Sequence, residues 1–420
     1  MPPPAPLHPV ARLPDEWRAA IAVLGERAYA SKQVFDWIQR RGVIDAAAMT
    51  NLSARLRTSL AESGLAPGLC VPEQVHRSAD GTRKIAARLR DGALIETVLL
   101  PGVSAAGRDG QPDLDDALDA DAAVADDEDE DSEPAAALPR DGARDGGYTV
   151  NAPRIRVTQC ISTQVGCAMG CVFCASGVAG LKRHLGPEEI VAQVLLGRSL
   201  LDEGEALRNV VYMGMGEPLH NYDATARSLR LLLHPEGIGL SSRRVTVSTS
   251  GLIPEIERLG RDFGGQVALA ISLHAADDAT RSSLMPINRR YPLAELMAAL
   301  RAYPLPKRRR ITIEYTLVSG KNDDVPEAQK LSRLLRRLPV KINLIPMNPI
   351  EASTLGPPAA ERVGAFQRVL LDAGYSCFVR RRRGDDVSAA CGQLVLIGAK
   401  PKVKGFRAPT EPAPLNTPID

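Results

Sequence analysis

The chain has 420 residues, of which 44% are hydrophobic and 24% are charged. These are ordinary values for globular proteins, and they exclude a collagenous, coiled-coil or wholly disordered chain. Its 52 basic and 50 acidic residues leave a formal net charge of only +2, which taken alone argues against strong binding of nucleic acid.

The residues before position 103 predict a small N-terminal helical domain followed by a β-hairpin. Residues 1–11 are rich in proline and predict a disordered tail. Apolar residues recur at helical spacing over 32–40 and again over 52–60, where Asn51 is a candidate N-cap. Over residues 84–100, apolar positions alternate on both sides of Asp91-Gly92, a dipeptide typical of tight hairpin turns. We assign residues 12–102 to this domain.

A strongly acidic segment follows the hairpin. Residues 113–133 contain twelve Asp or Glu and neither Lys nor Arg. Without this −12 segment the other residues carry +14, so the rest of the protein is basic. A stretch of this composition buries too little apolar surface to offset its ordering entropy. We therefore predict a disordered acidic insertion over residues 103–148.

Residues 149–405 predict a single α/β domain, and residues 406–420 a second disordered tail. Helical segments alternate with predicted strands at 209–213, 244–247, 267–272, 311–317 and 340–345. Alternation of this kind is typical of a parallel sheet in an open or closed β/α barrel. Polar and glycine-rich residues follow all five strands, which favours an active site at their carboxyl ends over ordinary βα turns.

No targeting or membrane signal is evident. The N-terminus lacks a charged start followed by an apolar segment, and no apolar run approaches the roughly 18 residues of a spanning helix. Of seven cysteines, three lie within eight residues, which favours a metal or cluster site in a reducing compartment over disulfides. The sequence thus predicts a cytoplasmic protein that does not contact a membrane.

The three clustered cysteines, Cys167, Cys171 and Cys174, are one ligand short of the usual set. A structural zinc site and an electron-transferring [4Fe-4S] cluster both normally take four protein ligands. Three thiolates would leave one iron open to a ligand with amino and carboxylate groups. The alternative is a zinc site that recruits Cys160 or His184 as its fourth ligand.

The spacing Cys167-x3-Cys171-x2-Cys174 resembles the signature of radical S-adenosylmethionine (SAM) enzymes. Gly216-Glu217-Pro218 resembles that superfamily's segment for the methionine amino group. The chain is more closely similar to the RlmN/Cfr family of RNA adenine methyltransferases. This similarity is carried by QVGC at 164–167, MGMGEPL at 213–219, VSTSG at 247–251, SLHA at 272–275, NLIPMNP at 343–349 and RGDDVSAACGQL at 383–394.

The resemblance implies a radical SAM methyltransferase acting at C2 of adenine in 23S rRNA and also in tRNA. The implied fold is a partial (β/α)6 radical-SAM barrel with the N-terminal helical domain and hairpin. Cys167, Cys171 and Cys174 would hold one [4Fe-4S] cluster, and two molecules of S-adenosyl-L-methionine would be used per turnover. The implied enzyme is a monomer that takes electrons from a donor such as flavodoxin.

The resemblance also implies roles for individual residues. Cys391 would carry the methyl group, Cys160 would resolve the protein–RNA adduct through a transient disulfide, and Glu96 would accept the ring proton. The remaining matches would contact SAM: Gly216, Glu217, Ser248, Ser272, Leu273, His274 and Asn348.

From the residues alone, each of these roles has a simpler alternative. Cys391 would be a small buried cysteine, Cys160 a fourth metal ligand and Glu96 a solvated surface residue. Residues 96 and 160 are also 64 positions apart, whereas the corresponding residues of the family are usually separated by a short span. The acidic insertion accounts for the extra length. For the whole protein the alternatives are a Cfr-type adenine-C8 methyltransferase and a non-catalytic zinc-containing RNA-binding protein.

Overall fold

The computed structural model describes residues 7–102, 155–350, 353–380, 383–390 and 392–394. The predicted disordered insertion at 103–148, the predicted tail at 406–420 and Cys391 lie outside these residues. Residues 9–11 differ from the predicted N-terminal tail, because Pro9–Ala11 form a buried 3-10 turn capped by the His8 side chain. Val10 is fully buried, and its carbonyl accepts a hydrogen bond from Gln39 Nε2 at 2.7 Å.

Three short helices form the N-terminal region: α1 (Pro14–Val23), α2 (Tyr29–Phe35) and α3 (Ala54–Glu62). A π-helical turn, Asp36–Arg40, continues α2. The cap of α3 is Ser53 and not the predicted Asn51, since Ser53 Oγ accepts the Leu56 N–H at 3.1 Å. The Asn51 side chain instead accepts the Trp37 indole N–H at 2.5 Å. The helix was thus predicted correctly, but its N-cap residue was not.

Twelve strands occur among the described residues, and ten of them form one sheet. Their bounds are β1 (Cys70–Arg77), β2 (Arg83–Leu89), β3 (Leu94–Pro101), β4 (Ile155–Cys160), β5 (Gln164–Val165), β6 (Arg183–His184), β7 (Glu205–Tyr212), β8 (Val245–Thr249), β9 (Ala268–Ser272), β10 (Ile311–Leu317), β11 (Val340–Pro346) and β12 (Ser376–Val379). The sheet order is β1-β2-β3-β4-β7-β8-β9-β10-β11-β12, and β5 pairs with β6 alone.

Within the ten-stranded sheet, β4 and the strands from β7 to β12 are all parallel, as predicted for a partial β/α barrel. Helices connect most of them: α4 (Ala175–Ala179), α5 (Pro187–Ser199), α6 (Tyr222–Leu233), α7 (Ile253–Phe263), α8 (Asp278–Leu284), α9 (Leu293–Ala302), α10 (Val325–Leu334) and α11 (Ala360–Asp372). β8, β10 and β11 are almost entirely buried, as expected of strands covered on both faces. No helix in the described parts of the chain is long and apolar enough to cross a membrane.

The hairpin β2–β3 extends the barrel sheet and is not a separate layer. β3 pairs antiparallel with β4, so that Val98 lies opposite Cys160. The Arg83 side chain, only 1% exposed, fixes the hairpin to the barrel. It donates to Glu205 Oε2 at 2.6 Å and to the Leu200 carbonyl at 3.0 Å. The first strands are therefore held in register with the barrel strands that follow the acidic insertion.

Arg83 and Arg77 both contact Asp202. We expect their substitution to lower the free energy of unfolding by different amounts. Arg83→Met would leave Glu205, whose side chain is 6% exposed, as a buried unpaired charge. We expect a loss of about 3–5 kcal/mol in the free energy of unfolding, measured by urea denaturation. Arg77→Met removes a pair whose side chains are 58% and 51% exposed and should cost under about 1 kcal/mol. Equal losses in the two variants would contradict the attachment.

Candidate active site

One pocket opens at the carboxyl edge of the parallel strands. Nine of the predicted site residues line it: Cys167, Cys171, Cys174, Gly216, Glu217, Ser248, Ser272, His274 and Asn348. Leu273 is not among the described residues that line the pocket, and its side chain is fully buried in the core. The pocket thus brings together residues from positions 167 to 348 at the edge where β/α barrels carry their sites.

The cysteine loop is closed by two tight backbone contacts. The Cys167 N–H donates to the Gly180 carbonyl at 3.1 Å, and a side chain at Gly166 would come within 1.9 Å of that carbonyl oxygen. A side chain at Gly177 would come within 2.9 Å of the backbone of Cys171. Only glycine fits at these two positions, so the fold of the loop depends on them.

Two of the three thiols, those of Cys167 and Cys171, lie in an environment that disfavours free thiolates. Burial, and then the charges of the other two cysteines, raises the pKa of Cys167 well above its usual value. Burial and the Cys174 charge also raise the pKa of Cys171. Within the described residues, no three His, Cys, Asp or Glu side chains are close enough to share a single metal ion. The donor set suits a cluster, because its cationic irons offset the thiolate charges and each thiolate binds a different iron.

The segment after β7 is pressed against the strand that precedes the cysteines. A side chain at Gly216, where φ is +104°, would come within 2.6 Å of the Gln164 side chain. The Glu217 N–H donates to Gln164 Oε1 at 2.8 Å. The buried Glu217 carboxylate accepts the N–H groups of Ser250 at 2.7 Å and Leu219 at 3.1 Å. Burial raises the pKa of Glu217, while these hydrogen bonds lower it.

His274 has a strained backbone and a fixed ring. Its φ of +57° lies in the left-handed region, which is uncommon for residues other than glycine. Its Nδ1 accepts the Thr316 N–H at 2.9 Å, and its ring lies edge-on to Phe173 at 4.8 Å. Burial lowers the pKa of His274 to about 3, so the ring is neutral. The neutral ring therefore forms part of the pocket wall and packs against Phe173 of the cysteine loop.

The predicted catalytic residues Glu96 and Cys160 share one face of the sheet. Glu96 is 1% exposed, so the alternative of a solvated surface residue is wrong. Lys84 Nζ lies 3.3 Å from Glu96 Oε1 and donates to the Ser388 carbonyl at 3.3 Å. Val98 faces Cys160 across the strand pair, which makes Glu96 and Cys160 diagonal neighbours.

Cys391 lies outside the described residues, but its neighbours on both sides are described. After it, the Gly392 carbonyl accepts the Ala175 N–H at 2.8 Å, and the Leu394 carbonyl accepts Ser176 Oγ at 2.8 Å. Before it, the Gly384 N–H donates to Asp80 Oδ2 at 3.0 Å. The cysteines at 70, 160, 167, 171, 174 and 377 are free thiols, so a disulfide is not supported among the described residues.

Four polar residues in or beside the site were not predicted from the sequence. They are Lys84 beside Glu96, Glu314 in the pocket wall, Asn343, which donates a hydrogen bond to Glu314, and Arg281, which donates to the Ser250 carbonyl. Lys84 could have been found, because the predicted turn at Asp91-Gly92 places it diagonally across the hairpin from Glu96. The others carry no local signal, since a lone buried polar residue in a strand or helix resembles any other until its neighbours are known.

Comparisons with known proteins identify the family. The model of the radical SAM superfamily matches residues 161–331, and that of the ribosomal RNA large subunit methyltransferase N-terminal domain matches residues 14–64. A dual-specificity RNA methyltransferase RlmN of Sorangium cellulosum is 74% identical over 95% of this chain and 98% of its own length. The protein of the same name from Geobacter sulfurreducens is 41% identical over 90% of this chain and 89% of its own.

A solved structure agrees with these relatives. The crystal structure of a radical SAM methyltransferase from Sphaerobacter thermophilus is 40% identical, with a TM-score of 0.77 over 93% of this chain and 99% of that one. These matches span nearly the whole length and cover the barrel, the cysteine loop and the N-terminal helices. The zinc-protein and C8-methyltransferase alternatives are not favoured. The chain belongs to the RlmN family of radical SAM methyltransferases.

Proposed function

We propose that this protein methylates C2 of adenine in 23S rRNA and in tRNA by radical SAM chemistry, with Cys391 as the carrier of the methyl group. The observation that carries the proposal is the double attachment of the chain around Cys391. The residues after Cys391 accept hydrogen bonds from the first two residues of α4, which follow Cys174 in the chain. The residues before Cys391 contact Lys84 on β2, next to Glu96, and Asp80 in the turn before β2. A carrier cysteine must reach both the SAM pocket and the adenine of the RNA. These contacts hold the chain on one side of Cys391 at the cysteine loop and on the other side near Glu96.

Cys167, Cys171 and Cys174 would hold one [4Fe-4S] cluster, and the open iron would take SAM beside Gly216 and Glu217. When bound, these groups supply an electron and a 5′-deoxyadenosyl radical, which the chemistry requires because the adenine C2 hydrogen is not acidic. Ser248, Ser272, His274 and Asn348 form the other polar walls of the pocket. With the tight cysteine loop, they exclude water from the reacting groups.

Glu96 is the candidate for the base that removes the adenine ring proton. Its carboxylate is held beside Lys84, whose ammonium also binds the Ser388 carbonyl three residues before Cys391. An adjacent cation favours the ionised form that a base needs. Lys84 thereby connects the base to the chain that carries the methyl group. Cys160, diagonal to Glu96, would then release the product from Cys391.

The RNA would bind through backbone contacts and a splayed-out adenine. Aromatic residues make up only 4% of the chain, which disfavours recognition by many stacking platforms. The residues outside the acidic segment carry +14, which suits a polyanionic substrate.

We propose a flavodoxin-type electron donor because the cluster must be reduced one electron at a time.

Cysteine variants test the proposed carrier. Cys391→Ala should abolish methyl transfer, and Cys160→Ala should accumulate a covalent protein–RNA adduct, detected by gel electrophoresis with labelled RNA. Cys377→Ala is the matched control, since Cys377 is a buried cysteine on β12 that does not line the pocket. Mass spectrometry of the wild-type product should locate the methyl group on C2. A methyl group on C8, or turnover by Cys391→Ala, would contradict the proposal.

Variants of Glu96 and Lys84 test the base. Glu96→Gln should leave methylation of Cys391 intact and slow product formation by about 10²–10⁴-fold, because adducts form but the ring proton is not removed. Lys84→Met should also slow product formation, because the Glu96 carboxylate loses the ammonium that lies beside it. Glu73→Gln on the exposed face of β1 is the control. Full turnover by Glu96→Gln would exclude Glu96 as the base.

A further inference from the structure

Glu96 and Cys160 lie where the pairing of β3 with β4 ends. The last paired residues at this end of the two strands are Val98 and Cys160. The chain after Cys160 continues along β7, where the Ile161 N–H donates to the Val211 carbonyl at 3.0 Å. Among the described residues, the backbone ladder between β3 and β4 therefore stops two residues short of Glu96.

Two hydroxyl groups connect the strands beyond the end of this ladder. Thr97 is the residue after Glu96, and its Oγ1 donates to the Cys160 carbonyl at 2.7 Å. Ser162 is the second residue after Cys160, and its Oγ donates to the Glu96 carbonyl at 2.6 Å. Both hydroxyl side chains are fully buried. A near neighbour of each candidate catalytic residue thus holds the backbone of the other.

Two fully buried glutamines fix the hydroxyl groups in turn. Gln193 on α5 binds the backbone of Ser162 twice: its Oε1 accepts the Ser162 N–H at 2.9 Å, and its Nε2 donates to the Ser162 carbonyl at 2.9 Å. Gln159 Nε2 donates to Thr97 Oγ1 at 3.1 Å and to the Gln193 carbonyl at 2.7 Å. Because Thr97 Oγ1 accepts this bond, its own hydrogen is directed to the Cys160 carbonyl.

Ser162 also joins β3 to the segment that follows β7. Its Oγ accepts the Met215 N–H at 2.8 Å while it donates to the Glu96 carbonyl. A side chain at Gly214 would come within 2.7 Å of this Oγ, so the two segments pack closely. The Met215 carbonyl accepts the Thr163 N–H at 2.9 Å, so this segment keeps a second attachment if the hydroxyl is removed. Loss of the Ser162 hydroxyl should therefore displace β3 more than the wall of the pocket.

We propose that Thr97 and Ser162 are positioning residues, which hold Glu96 and Cys160 in the relative arrangement that removes the protein–RNA adduct. The inference rests on the proposed function, since it takes Glu96 as the base and Cys160 as the resolving cysteine, and it adds no step to the reaction. A displacement of about 1 Å between reacting groups can slow a reaction about 10²-fold. Loss of either hydroxyl should therefore slow the decay of the adduct and spare the earlier methylation of Cys391.

Two rates measured on the anaerobic, cluster-loaded protein test the proposal. Methylation of Cys391 by SAM without RNA is followed by mass spectrometry of the protein, and decay of the adduct is followed in a single turnover by gel electrophoresis with labelled RNA. Ser162→Ala should methylate Cys391 at the wild-type rate and consume the adduct about 10–100-fold more slowly. Ser162→Thr restores a hydroxyl and should recover most of the lost rate of adduct decay.

A control and a second variant separate positioning from a general loss of structure. Ser31 on α2 is 5% exposed, and its Oγ donates to the Ala28 carbonyl at 2.7 Å. Ser31→Ala thus also removes a buried hydroxyl, and both of its rates should equal those of the wild type. Thr97→Val keeps the side-chain shape and removes the donor to the Cys160 carbonyl, so it should also slow adduct decay. If Ser162→Ala does not fold, Thr97→Val and its rescue by Thr97→Ser decide.

Adduct decay at the wild-type rate in either hydroxyl variant would overturn the proposal. An equal slowing of Cys391 methylation and adduct decay would also overturn it, because a general loss of structure slows both. The proposed function fails separately, if Cys160→Ala accumulates no adduct. An adduct in Cys160→Ala together with wild-type decay in Ser162→Ala would refute this inference alone.

Discussion

A single buried guanidinium group, that of Arg281, joins the ends of the two strands at the centre of the pocket. It is fully buried and donates to the carbonyls of Ser250 at 2.7 Å, Leu273 at 3.0 Å and Ser272 at 3.2 Å. Asn288 accepts a fourth bond at 2.9 Å. Burial lowers the pKa of Arg281 to about 10, so the cation persists at neutral pH. Without it, the strand ends would lose three buried hydrogen bonds, and each buried carbonyl left without a donor would cost about 1–3 kcal/mol.

The rest of the site depends on these strand ends. Ser250 is bound by Arg281 through its carbonyl and by Glu217 through its N–H. Ser272 is paired in register with Glu314, and the residue after Leu273 is the strained His274, which packs on Phe173 of the cysteine loop. One cation thereby orients both the segment that follows β7 and the wall that faces it. Hydrogen bonds within the protein hold the walls of the pocket in place.

The sequence could predict the features that recur at fixed spacing. The alternation of strands and helices and the Asp91-Gly92 hairpin were confirmed, because hydrophobic period and turn chemistry are local properties. The position of the α3 cap was missed because the Asn51 side chain bonds Trp37, a tertiary contact. Leu273 was assigned to the pocket as part of a motif, although alternation along the chain turns its side chain into the core. Glu314 and Arg281 were missed because their roles arise from three neighbouring strands and a helix.

The central claim is that the three-cysteine loop holds a cluster with one iron left open for SAM. Mössbauer spectroscopy of protein loaded with ⁵⁷Fe, with and without SAM, tests this most directly. We predict about four irons per chain, of which one changes its signal when SAM is added while the other three do not. Four irons that all ignore SAM, or a protein that binds zinc and no iron, would contradict the account.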